Sequence, residues 1–153
     1  MRNLPPAYFA LVMATGIVSV AALSFHLPLI AKALFAINLI AYAVLIVLTA
    51  LRAAIHPRLI FGDLIDHRVG PGFFTLVASS CLIGVQFLMI SGSQIVAVVF
   101  LGVGAALWVG LTYTIFVAFT IKRKKPRLQR GISGLWLVAV VAATEVDAAL
   151  AAL

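Results

Sequence analysis

The reading turns on "PGFFTLVASSCLIGV", Pro71–Val85, and on its likeness to "PAYFALVMATGIVSV", Pro6–Val20. Laid over one another at an offset of 65 residues, the two share Pro6/Pro71, Phe9/Phe74, Leu11/Leu76, Val12/Val77 and Val20/Val85. Ala7/Gly72, Tyr8/Phe73, Thr15/Ser80 and Ser19/Gly84 pair residues alike in size or kind. Both stretches are greasy, and both put small or hydroxylated residues in mid-run. A third stretch, "SGLWLVAVVAAT" from Ser133, fits more weakly, with Gly134 over Gly72 and Trp136 over Phe74.

The stretches lie in apolar runs long enough to cross a bilayer, which takes about 20 residues at about 1.5 Å rise each. Five such runs are expected as helices: 6–25, 29–51, 72–90, 95–121 and 133–153. They are too long for membrane strands and do not alternate polar with apolar residues. Breakers mark the boundaries: Pro5 and Pro6, His26-Leu27-Pro28, Pro71-Gly72, Ser91-Gly92-Ser93 and Pro126. Composition agrees. Of 153 residues, 65% are hydrophobic and 10% charged, where a soluble domain carries about 25% charged residues. An all-α, multi-pass membrane protein with a single membrane domain over 1–153 is the expectation.

The net charge is +7. With the N-terminus inside, ten of the eleven Lys and Arg residues fall on the inner side and only Lys32 on the outer. This is the positive-inside pattern of a cell membrane (plasma or inner membrane) protein with a cytoplasmic N-terminus. The cluster "KRKKPRLQR", 122–130, sits between two apolar runs and reads as an anchor at anionic headgroups. No aromatic-plus-basic nucleic-acid module is present. Cys81 is a single cysteine, so no intrachain disulfide forms.

Two spans return the chain to the same side, so the repeat is a two-helix hairpin of about 65 residues, used in parallel. Odd-numbered spans then occupy equivalent places. Thr15, Ser19, Ala22 and His26 share one stripe of the first span. Ser80 and Gly84 continue it in the third, where Thr75, Ser79 and Gln86 form a second polar stripe. Apart from Lys32 at the outer end of the second, the even spans carry little that is polar beyond Asn38, Tyr42, Thr49, Trp108, Thr112–Thr114 and Thr120, and are expected to face lipid. Taken singly, such residues suit close helix packing and back-bonded hydroxyls. Their repetition at equivalent places points to a shared central axis.

"FALVMATGIVSVAA", "GPGFFTLVASSCLIGVQF" and "GLWLVAVVAATE", in that order, resemble the first, third and fifth helices of the tellurite-resistance and C4-dicarboxylate transporter family. That superfamily includes slow anion channels and malate permeases. The resemblance implies a ten-helix, pseudo-fivefold bundle of five hairpins, with odd helices around a pore. It also implies trimers with one pore per subunit, and anionic substrates: dicarboxylates, chloride, nitrate or sulfite. By the same resemblance the chain is the N-terminal half, two and a half hairpins, cut short in helix five. The ninth helix, whose aromatic residue plugs the pore in relatives, is not in it.

An anion pore needs hydrogen-bond donors without a deep trap. The expected lining is Thr15, Gly16, Ser19, Thr75, Ser79, Ser80, Gly84, Gln86 and Thr144. Glu145 and Asp147, acids within a span, are candidates for proton coupling. Asp63, Asp66 and His67 lie in what reads as a solvated loop rather than a metal site. No catalytic constellation, phosphate loop or cofactor motif is found, so the chain is not expected to be an enzyme. The expected function is passage of small anions; the alternative is a non-transporting scaffold or partner subunit, or a non-functional truncated fragment.

Overall fold

The computed structural model describes residues 6–121, apart from 65, 67 and 68, and residues 137, 140, 141, 143, 144 and 151. Among them the backbone is helical throughout, joined by short turns. Helix α1 spans Phe9–Ser24 and follows a 3₁₀ turn at Pro6–Tyr8. Helix α2 spans Pro28–Ile55 and α3 spans Pro57–Leu64. A 3₁₀ turn at Gly70–Phe73 leads into α4, Phe74–Gln86, which continues through a π turn at Phe87–Ser91. Helix α5 spans Gln94–Ile121.

Proline punctuates this order. Pro28 opens α2, Pro57 opens α3, and Pro71 stands in the turn before α4. At a helix start its missing N–H leaves no bond broken. The α4 end is closed by Gly92 at φ +67°, a left-handed conformation that glycine adopts without a Cβ penalty. His26, between α1 and α2, also has positive φ, at +57°. That residue makes the reversal tight enough for Leu27 N–H to reach Ala22 O.

Helices α1 and α2 pack as one hairpin and α4 and α5 as a second, and the hairpins meet where α1 packs on α4. The two hairpins use the same face. On α1 the buried residues include Phe9, Val12, Gly16 and Ser19. Their counterparts one repeat later, Phe74, Val77, Cys81 and Gly84, are all buried on α4. Residues three and four apart share a helix face, so each set is one stripe.

Burial separates the helices by role. In the Gly70–Ser91 span 67% of the apolar stretch is buried, against 11% in α2 and 17% in α5. Those outer helices turn Leu29, Ile40, Val47, Ile95, Val99 and Val109 outward. Large exposed apolar residues in such numbers require an apolar solvent, which the bilayer supplies. Among the described residues three helices are long and apolar enough to span it: Pro28–Ile55, Gly70–Ser91 and Gln94–Val117. The shorter α1 covers about 24 Å at 1.5 Å per residue, and its leading turn lengthens it.

Small residues let the helices approach. A Cβ on Gly16 would lie 2.5 Å from Leu82 Cδ2 and 3.0 Å from Asn38 Nδ2, so α1 meets both α2 and α4 at that point. An edge-to-face aromatic chain ties the helices further. Phe9 and Tyr42 have ring centroids 6.1 Å apart, and Tyr42 and Phe100 5.9 Å.

Two expectations are corrected. The outer helices are not wholly lipid-facing: Asn38 and Tyr42 on α2 are buried against the inner helices. The loop after the second span is not merely solvated chain. Helix α2 runs on to Ile55, α3 follows, and Asp63 pairs with Arg52 rather than joining a ligand cluster. His67 lies outside the described residues.

Candidate functional site

The polar residues of α1 and α4 converge on one seam with α2. Thr15 Oγ1 lies 2.8 Å from Leu11 O and 2.6 Å from Asn38 Oδ1, so its single proton is shared between its own helix and α2. Asn38 Nδ2 in turn donates to Gln86 Oε1 at 2.7 Å. The three side chains thus bridge α1, α2 and α4. Asn38 and Gln86 are both fully buried. Gln86 Nε2 has no hydrogen-bond partner among the described residues.

The other hydroxyls of the seam have spent their protons. Ser19 donates to Ala31 O on α2 at 2.9 Å. Thr75 donates to Gly72 O and Ser79 to Leu76 O. Ser80 donates to Leu76 O at 2.7 Å, so the 2.8 Å contact with Tyr42 makes the tyrosine the donor there. A hydroxyl used this way offers lone pairs, not a proton, to anything beside it. An anion needs N–H or O–H donors, and in this seam Gln86 Nε2 is a buried donor nitrogen with no hydrogen-bond partner among the described residues.

The structure therefore gathers Thr15, Gly16, Ser19, Ser80 and Gln86 around α2, with Asn38 and Tyr42 as partners. Gly84 is turned toward α5, where an added Cβ would lie 3.2 Å from Ala97 O. Thr75 and Ser79 are buried nearer the start of α4. Thr144 is exposed and donates to Val141 O at 2.8 Å. Glu145 and Asp147 lie outside the described residues. Asn38 and Tyr42 stand with the seam's site residues although sequence reasoning assigned their helix to lipid. The signal was present: Ala31, Asn38 and Tyr42 are spaced 7 and 4, which is one face of a helix.

Long apolar helices with exposed apolar flanks and a buried polar seam define a helical membrane protein. The voltage-dependent anion channel family model matches residues 3–153, and the chain belongs to that family. The comparisons with curated proteins and with solved structures found no match. Family membership brings anion transport through a membrane channel, and excludes an enzyme.

Proposed function

We propose that this chain carries small anions across the cell membrane along the seam of α1 and α4. The reading joins the family match to one observation: a buried polar seam that ends in an unspent Gln86 N–H. Small residues keep the inner helices close; the wall of the seam is Thr15, Gly16, Ser19, Ser80 and Gln86, with Thr75 and Ser79 nearer the start of α4, while Gly84 faces α5 and Thr144 is exposed. Gln86 supplies the donor. A neutral amide attracts an anion weakly enough to release it, as conduction requires. No Lys or Arg of 9–24 or 74–91 deepens the trap. The substrate class is small inorganic anions or C4-dicarboxylates, with tellurite resistance as a cellular consequence, and the working assembly is a trimer. The basic segments lie on the cytoplasmic side with the N-terminus. Glu145 and Asp147 serve proton coupling if a pH gradient drives transport.

Liposome flux tests this. Purified chain is expected to release nitrate or chloride faster than empty vesicles. Gln86→Leu is expected to cut the rate about 10- to 100-fold, the equivalent of one hydrogen bond to a charged group. Equal rates for wild type, Gln86→Leu and empty vesicles would favour a non-transporting partner subunit.

A further inference from the structure

A second feature lies away from the seam. Between α4, α5 and residues 140 and 143 is a cavity of about 390 Å³, lined by Phe74, Trp108, Thr112, Val140 and Ala143 among others. That volume falls within the range of ligand pockets, about 300–1,000 Å³. Its wall is apolar, and an apolar cavity stays dry and takes apolar guests. Thr112 is the polar exception. Thr114 and Thr120 donate to the carbonyls one turn back, Gly110 O and Phe116 O. Thr112 does not, and its buried Oγ1 has no partner among the described residues.

The cavity sits toward the end of the molecule where α4 begins and α5 closes. Phe74 begins α4 immediately after the turn that follows Arg68. Thr112 and Phe116 lie in the last turns of α5, and five residues at 1.5 Å each put Phe116 about 8 Å from its end at Ile121. Six basic residues follow in 122–130. Leu64 of α3 packs on the cluster that holds Phe74, Ile115 and Trp108, and Arg58 of the same helix is exposed. An apolar cavity within about four turns of the helix end after which the sequence turns basic, in a protein that lives in a bilayer, matches an amphipathic anionic ligand.

We infer that this cavity holds an acyl chain of an anionic phospholipid, its headgroup drawn by the basic end of the chain. The inference needs the protein to reside in a membrane but does not need the seam to conduct. Trp108 is its reporter: with Trp136→Phe it becomes the single tryptophan. The protein is placed in phosphatidylcholine vesicles containing a small fraction of acyl-brominated phosphatidylglycerol or acyl-brominated phosphatidylcholine. Bromine quenches tryptophan on contact. Quenching by the brominated phosphatidylglycerol is expected at about fivefold lower mole fraction, the preference one basic side chain gives an anionic headgroup. Unbrominated phosphatidylglycerol is expected to reverse it. Ala143→Phe and Thr112→Phe each fill part of the cavity and are expected to lower the excess quenching. Equal quenching by both brominated lipids overturns the proposal. So does an excess that survives in both filled variants, or a lack of competition by unbrominated lipid.

Discussion

Asn38 shows what one buried polar side chain does in a helix that otherwise meets lipid. It accepts from or shares with Thr15 and donates to Gln86, so three helices depend on its amide. Asn38→Leu leaves Gln86 with neither end bonded. In a membrane such couplings average about 0.6 kcal/mol and reach about 1.7 kcal/mol. A double-mutant cycle with Gln86→Leu, followed by thermal unfolding in detergent, is expected to return a coupling in that range; a coupling near zero contradicts the bridge. Gly104 supplies a packing counterpart. A Cβ there would run into Cys81 Sγ, whereas at Gly102 it would meet nothing within 4 Å. Gly104→Ala is therefore expected to cost about 1–3 kcal/mol by overpacking. Gly102→Ala is expected to be neutral or slightly stabilising, since alanine is the better helix former. Of the site, Thr15, Ser19, Ser80 and Gln86 were readable in sequence because polar residues are conspicuous in an apolar run. Asn38 was readable too, but a rule drawn from odd and even spans assigned its helix to lipid.

Helices were legible where hydropathy and proline agree, and less so where neither speaks. The apolar runs and Pro28 mark α2 well, yet α2 overruns Leu51 by a turn because Arg52 is not a stop signal: Asp63 neutralises it. Helix α3 is short, its apolar content is modest, and the Asp63–Arg52 pair ties it to α2 while Leu64 packs on the core. Asp63→Ala removes that partner from a guanidinium only 9% exposed. A loss on the order of 1–3 kcal/mol is expected, with faster amide exchange across Pro57–Leu64 than across α5. Unchanged exchange would show that the pair does not hold α3. The π turn at Phe87–Ser91 was hidden from sequence. Its apolar pattern continues that of α4 without interruption, and only Gly92 signals the stop. Such single π turns often sit near functional positions, and this one begins at the residue after Gln86.

Among the described residues the molecule is one hairpin used twice, each pair packed through the same stripe, with the inner helices against one another. Duplication makes the inner and outer roles legible: a stripe that recurs 65 residues on is under the same packing demand in both copies. Composition fixes the solvent, and the family match fixes the class of cargo as anionic. Which atoms meet the cargo was not legible, because a small residue on an inner helix serves packing and a water-filled path equally well. Thiol accessibility decides between these uses. In a Cys81→Ala background, single cysteines at Thr15, Ser80 and Gln86 are compared with one at Val109 on the lipid side of α5. The seam positions are expected to react with an anionic, membrane-impermeant thiol reagent and to be protected by excess nitrate. Reaction no faster than at Val109, or no protection by nitrate, would contradict an anion path along the α1–α4 seam.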